Sequence, residues 1–250
     1  SLSREQAKLL RYDWDFWARP EQLEPEGSAE DWFIWLVMAG RGFGKTRIGA
    51  EWVRKKARRP HQRIALVAPT AGDGRDIMVE GDSGLLSCYP SNDRPKYEPS
   101  KRRITWRNGT LATVYSGDEP DRLRGPQHHW AWCDEIAAWK NPESWDMLRF
   151  GLRLGPAPRA VATTTPKPRK FILDLVEEEG VHITYGSTFR NAANLAPTFR
   201  QTVVKKYLGT TLGGVVDLPA VLATVTAAIT SGNIAGVVKA LTSGLSVPLN

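Results

Sequence analysis

The sequence predicts an α/β fold with a mainly parallel sheet, because strand patterns alternate with helical patterns along the chain before Tyr207. Each strand candidate is a short, continuous apolar run, which is typical of a strand buried on both faces. These runs are 32–39, 63–68, 129–133 and 159–164. The stretch 45–58 follows helical periodicity, with its apolar residues along one face. A hairpin is indicated where 102–106 and 110–115 flank Asn108 and Gly109.

Composition limits the class of protein. Hydrophobic residues make up 41% and charged residues 24% of 250, which excludes a disordered, collagen-like or coiled-coil chain for most of its length. The formal net charge of +7 permits a polyanionic partner without establishing one. Cys88 and Cys133 are too few for a disulfide framework or a four-cysteine zinc site, so we expect a reducing compartment. The charged N-terminal segment predicts no signal peptide.

A change of composition near Tyr207 divides the chain. Beyond Lys206 the charged residues are Asp217 and Lys239. We therefore expect an N-terminal helix and loop over 1–30, an α/β domain over 31–207, and a low-charge, Ala/Val-rich tail over 208–250. Two short helices, 219–230 and 234–243, are favoured in the tail over a membrane span, because Thr, Ser, Asn and Gly dilute its hydrophobicity.

A glycine-rich string connects the first strand to the first long helix, and this context is typical of a phosphate-binding loop. Its residues are Gly40, Arg41, Gly42, Phe43, Gly44, Lys45 and Thr46. The glycines allow backbone N–H groups to approach phosphates, Lys45 would contact the β- and γ-phosphates, and the Thr46 hydroxyl would ligate Mg²⁺. Ala39 stands where the motif usually begins with glycine. The sequence thus predicts a P-loop NTPase that binds ATP and Mg²⁺; a plain glycine turn is the alternative.

Two further strand ends carry polar residues suited to such a site. Asp134 and Glu135 follow the strand 129–133, as a metal-holding carboxylate and a water-activating carboxylate should. A solvated strand end is the alternative. Hydroxyls also end the strand 159–164, where a γ-phosphate could be sensed, although β-propensity alone explains threonines there at least as well. These residues are Thr163, Thr164 and Thr165.

Taken in order, these segments resemble the large terminase subunit of tailed bacteriophages, the ATP-driven motor that packages DNA. The resemblance is to the prophage and gene-transfer-agent branch and covers roughly residues 10–208. It rests on WLVMAGRGFGKTRIGAEWVR, IALVAPTAGDGRDIMVEGDSGLL, RLRGPQHHWAWCDEIAAWK and VATTTPKP. It implies a P-loop fold of the ASCE/RecA-like type, with Lys45 on the phosphates, Thr46 and Asp134 on Mg²⁺, and Glu135 as the catalytic base.

The resemblance also implies roles for residues that the motifs alone do not assign. Arg41 lies where such motors carry an arginine within the phosphate loop. Arg124 is similar to the arginine that reaches a neighbouring subunit's γ-phosphate, although a solvated surface arginine is equally open. Gln22 is similar in position to the glutamine that contacts adenine. The residues that couple hydrolysis to movement on DNA would be Thr163, Thr164 and Thr165.

The partners implied by the resemblance are double-stranded DNA, a portal protein, a small terminase subunit and further copies in a ring, in the host cytoplasm and without a membrane. Family members continue into an RNase H-like nuclease domain. Because the tail contains one acidic residue, Asp217, we expect no nuclease activity from this chain. Two alternatives stay open: a helicase-like P-loop ATPase, and a degenerate prophage remnant that binds nucleotide without packaging DNA.

Overall fold

Eight strands form one sheet in the order β3-β4-β5-β2-β6-β7-β1-β8 in the computed structural model, which describes residues 3–28, 30–167 and 169–186. The strands are β1 (Ile34–Ala39), β2 (Arg63–Ala68), β3 (Lys96–Glu98), β4 (Arg103–Thr105), β5 (Leu111–Ser116), β6 (Trp130–Cys133), β7 (Arg159–Thr164) and β8 (Val181–Gly186). β2 pairs in parallel with β5 and β6, and β6 pairs in parallel with β7. The predicted mainly parallel α/β fold is confirmed.

In the described part of the chain, two α-helices precede β1 and four lie between strands. They are α1 (Arg4–Arg11), α2 (Trp14–Trp17), α3 (Lys45–Lys56), α4 (Ala71–Asp73), α5 (Glu143–Gly151) and α6 (Lys170–Val176). α4 continues as a π-helical turn over Gly74–Val79. The tail 208–250, its two predicted helices and the proposed boundary at 207 lie outside the described residues.

The central strands are apolar because both of their faces are covered. Every residue of β1, β6 and β7 is buried. α3 packs closely against β6 at Gly49, where a Cβ atom would overlap the indole of Trp132. A residue without a side chain therefore lets this helix approach the sheet.

The antiparallel edge of the sheet contains the predicted hairpin. β4 pairs with β5 in antiparallel register, and β3 pairs with β4 in the same sense. Gly109 adopts φ of 80° in the turn, which only glycine adopts without strain. The Asn108 side chain reaches across to α3 and donates to the carbonyl of Ala57 at 2.8 Å. The hairpin therefore also caps the C-terminal end of α3.

Two predicted helices differ from their observed bounds. The helix predicted over 45–58 ends at Lys56, because Asn108 binds the carbonyls that follow and Pro60 disfavours helical backbone before it. The single N-terminal helix is two helices followed by a 3₁₀ turn over Pro20–Gln22. The break falls at Asp13, whose carboxylate accepts from the Phe16 N–H at 3.3 Å and starts α2.

The chain divides into two compact units. Among the described residues, the first comprises 3–28, 30–37, 44–164 and 169–184, and the second comprises 38–43, 165–167 and 185–186. Within the second unit, the Gly40 N–H donates to the Gly186 carbonyl at 3.0 Å, and the Phe43 ring packs against Gly186. Among the residues described in both units, no helix is long and apolar enough to cross a membrane.

Candidate nucleotide site

The chain turns sharply between β1 and α3, and glycine makes this turn possible. Gly42 has φ of 76° and Gly44 has φ of 98°, both in the left-handed region. Gly44 is the N-cap residue of α3, and its carbonyl accepts from the Ile48 N–H at 3.0 Å. Lys45 is therefore the first residue of the helix, and Thr46 follows it half-buried. The strand, the glycine loop and the helix follow one another in the order that the sequence analysis predicts.

Lys45 and Glu135 form an ion pair in the first unit. The Lys45 Nζ lies 3.2 Å from Glu135 Oε1, and the side chains are 8% and 32% exposed. These residues are 90 positions apart in sequence. The structure thus brings together the lysine of the glycine loop and the second carboxylate after β6.

Asp134 is the buried carboxylate of the site. The Thr163 hydroxyl donates to Asp134 Oδ1 at 2.6 Å, and the Asp134 N–H donates to the Val67 carbonyl at 2.8 Å. Burial raises the pKa of Asp134 to about 6; the Thr163 hydrogen bond and Lys45 oppose this rise, while the charge of Glu135 adds to it. A nearby cation would favour the ionised form of this carboxylate.

The turn after β6 is bound to the end of β7 through threonine hydroxyls. Glu135 adopts φ of 45° and ψ of 50°, a left-handed conformation that is uncommon for a residue with a side chain. Its N–H donates to the Thr163 Oγ1 at 3.3 Å, and the Ala137 N–H donates to the Thr164 Oγ1 at 3.3 Å. These hydroxyls therefore position the acidic turn, beyond the β-propensity of the threonines. Thr165 is buried and belongs to the second unit.

Gln22 lies beside the start of α3. It is buried, and its amide nitrogen is so close to Gly44 that a Cβ atom there would be 2.9 Å away. Its Oε1 accepts from the Arg19 N–H at 3.0 Å. Gln22 also lines a cavity of about 250 Å³, together with Trp14 and Trp52. The glutamine of the N-terminal region thus lies beside Gly44, the N-cap of α3.

The two arginines of the predicted site differ in their surroundings. The Arg124 side chain is 66% exposed, and its contacts are acids: Glu143 at 3.6 Å and Asp121 at 4.0 Å. It lies outside the group formed by Lys45 and Glu135. Arg41 is exposed on the second unit.

The oxygen donors of the site fit Mg²⁺. Thr46 offers a hydroxyl and Asp134 a carboxylate, and Mg²⁺ prefers such hard ligands while keeping several waters and phosphate oxygens. Within the described part of the chain, no group of three or more His, Cys, Asp or Glu residues could hold a metal by itself. A metal shared between few side chains and a nucleotide is consistent with this donor set.

Comparisons with known proteins extend this picture. The sequence model of the N-terminal part of the terminase large subunit, T4likevirus type, matches residues 36–214. The chain belongs to this family. The resemblance to the large terminase subunit is thereby confirmed, and with it the P-loop fold of the observed sheet. The comparison with curated proteins gives no significant match.

Solved structures of terminases share the fold. The ADP complex of a large terminase from a thermophilic bacteriophage is 16% identical, with a TM-score of 0.61 over 84% of this chain and 52% of that one. The ATPase domain of the Thermus phage P74-26 large terminase is also 16% identical, with a TM-score of 0.54 over 82% of this chain and 91% of that domain. The chain therefore spans about half the length of the ADP-bound terminase and most of the P74-26 ATPase domain.

Proposed function

We propose that this chain is the ATPase motor domain of a large terminase subunit, which hydrolyses ATP to drive double-stranded DNA into a procapsid. The observation that carries the proposal is the group formed by Lys45, Asp134, Glu135 and Thr163, where the start of α3 meets the ends of β6 and β7. Family membership supports it. The structures of the thermophilic bacteriophage terminase with ADP and with ATP-γ-S support a nucleotide as the ligand.

The ion pair between Lys45 and Glu135 describes the site before ATP binds. Lys45 would exchange Glu135 for the β- and γ-phosphate oxygens when ATP binds. Glu135 would then be released to orient a water molecule in line with the γ-phosphate and to take up its proton. Thr46 and Asp134 would hold Mg²⁺, which neutralises charge on the phosphates when bound. The backbone N–H groups of the loop from Gly40 to Gly44 would contact the phosphates.

The threonines after β7 are proposed to couple hydrolysis to movement. Thr163 binds both Asp134 and the Glu135 N–H, and Thr164 binds the Ala137 N–H. A displacement of the acidic turn on phosphate release would therefore be transmitted to the end of β7 and on to Thr165.

The remaining residues are assigned by position. Arg41 would contribute positive charge from within the phosphate loop, and Gln22 would contact the base from beside Gly44. Arg124 is exposed, so it would act on the γ-phosphate of a neighbouring subunit in a ring. The segments 1–30, 31–207 and 208–250 would serve as base-contacting region, ATPase domain and tail. A portal protein and a small terminase subunit would complete the assembly in the host cytoplasm.

The proposal is tested by steady-state ATP hydrolysis with and without double-stranded DNA. We expect turnover that requires Mg²⁺, rises with DNA, and falls at least a hundredfold in Glu135→Gln, since general-base catalysis contributes roughly 10²–10⁴ in rate. Glu179→Gln, an exposed carboxylate after α6, is the matched control and should keep full turnover. Nucleotide binding without turnover in the unmodified chain would contradict the motor and favour a nucleotide-binding remnant.

A further inference from the structure

A basic cavity lies between the C-terminal end of α3 and the β4–β5 hairpin. Its volume is about 710 Å³. The charged residues that line it are Arg54, Arg58, Arg94, Lys96 and Arg107, with Asp93 as the acid. Two of these cations pair with acids outside the lining, Lys96 with Glu98 at 3.7 Å and Arg54 with Glu51 at 3.0 Å. The lining still carries more positive than negative charge, because the other three cations share Asp93 alone.

Three of the five cations form no ion pair with an acid among the described residues: Arg58, Arg94 and Arg107. The Arg94 Nε donates to the Tyr89 carbonyl at 3.5 Å, and the Arg107 Nη2 donates to the Asn92 carbonyl at 3.3 Å. Both acceptors are uncharged, so each guanidinium has further N–H groups for a ligand. Arg58 is exposed and forms no ion pair within 4.0 Å among the described residues. The cavity therefore has a positive potential toward the solvent.

Arg54 supplies charge from the wall of the cavity. It shares Glu51 with Arg47, so that two guanidinium groups face one carboxylate. Its guanidinium lies over the Tyr89 ring at 5.3 Å and donates to the Tyr12 carbonyl at 2.7 Å. These contacts fix its position, which reduces the conformational entropy lost when a ligand binds.

Side chains of the hairpin offset the partial negative charge at the C-terminal end of α3. The carbonyls at the C-terminal end of a helix carry partial negative charge and would repel an anion. Here the Asn108 Nδ2 donates to the carbonyls of Ala57 at 2.8 Å and Arg58 at 3.3 Å. The Thr110 hydroxyl donates to the Arg59 carbonyl at 2.7 Å. The end of α3 is thus occupied by protein donors.

This cavity is separate from the nucleotide site. Lys45 begins α3 and Lys56 ends it, so the two sites lie at opposite ends of a 12-residue helix, about 18 Å apart. A ligand in the cavity could not share phosphates with Lys45.

We propose that this cavity binds phosphate groups of a nucleic-acid backbone. Four of its five cations are arginines, whose fork-shaped donors match phosphate oxygens, and it is much larger than a single carboxylate needs. The proposal rests on the proposed function in one respect, because the packaged DNA supplies the backbone.

The test compares two triple variants with the same net charge. The pocket variant carries Arg58→Gln, Arg94→Gln and Arg107→Gln; the control carries Arg75→Gln, Lys140→Gln and Lys170→Gln, exposed cations outside the cavity. Binding of a short DNA duplex is followed by fluorescence anisotropy over a range of salt concentrations. Each lost phosphate contact lowers the slope of log K against log salt by about 0.9, so we expect a fall of about 2–3 in the pocket variant only.

Other results would overturn the proposal. An equal fall in both variants would mean that net charge alone is sensed, and no fall in the pocket variant would exclude the cavity. Loss of inorganic pyrophosphate binding with unchanged duplex affinity would assign the cavity to free phosphates. A larger loss with polyglutamate than with the duplex would assign it to an acidic peptide. Anisotropy requires no turnover, so failure of ATP hydrolysis would count against the motor and not against this cavity.

Discussion

The ion pair between Lys45 and Glu135 predicts that Glu135→Gln binds ADP more tightly while it loses hydrolysis. At 3.2 Å and an effective dielectric constant of about 20, the Coulomb attraction is about 5 kcal/mol. Desolvation of both groups offsets most of it and leaves a net stabilisation of about 1 kcal/mol. A nucleotide must displace Glu135 from Lys45. Without that competition its affinity should rise about fivefold, as measured by isothermal titration calorimetry.

A second background separates the ion pair from simple repulsion between Glu135 and phosphate. Lys45→Met removes the pair, so adding Glu135→Gln to it should change the ADP affinity much less than in the unmodified chain. The difference between the two changes measures the coupling of the two residues. The same gain in both backgrounds, or a loss of affinity in Glu135→Gln, would refute the reasoning.

Three further predictions concern packing and titration. Gly49→Ala places a methyl group inside an indole on β6 and should destabilise the fold by about 1–3 kcal/mol in urea denaturation, whereas Gly72→Ala has space and should change it little. Burial lowers the pKa of His128 to about 4, so the free energy of unfolding that its neutral form contributes above pH 6.5 is lost as the pH falls toward 4. His128→Phe should abolish this part of the acid-induced loss of stability. A variant whose stability has the same pH dependence as the unmodified chain would contradict this. Thr163→Val removes a hydrogen bond that lowers the pKa of Asp134, so the pKa of this carboxyl, followed by NMR titration without Mg²⁺, should rise; a downward shift would contradict this.

Local sequence patterns were sufficient to predict several of the central strands and the hairpin. β2 and β7 occupy the residues predicted for them, because each is a continuous apolar run between polar or turn residues. The β4–β5 hairpin follows from Asn108 and Gly109. β3 and β8 carry weaker signals: Lys96–Glu98 has three residues without alternation, and Val181–Gly186 is mostly half-buried. Their pairing depends on neighbouring strands, which a local pattern does not contain.

In the candidate site, too, local patterns predicted some residues, while other contacts depend on which distant strands are neighbours. The spacing of Lys45, Asp134 and Glu135 predicted a common site, because strand ends and the following loops meet at one edge of a parallel sheet. The bond between Thr163 and Asp134 follows from the adjacency of β6 and β7, which no local pattern encodes. The basic cavity was missed for a related reason. Its cations come from α3, from the residues that follow it and from single residues around β3 and β4. The sequence shows two basic runs, 54–59 and 101–103, but it does not show which distant residues complete the cavity.

The left-handed backbone of Glu135 has a consequence for how this position tolerates substitution. A residue with a side chain in this region costs about 1–2 kcal/mol relative to ordinary backbone, and glycine avoids most of that cost. In a library of all substitutions at 135, selection for abundance should therefore enrich glycine and asparagine over glutamate, while selection for packaging should retain glutamate. The two rankings would run in opposite directions, and their divergence would mark the position as one kept for chemistry at the expense of the fold.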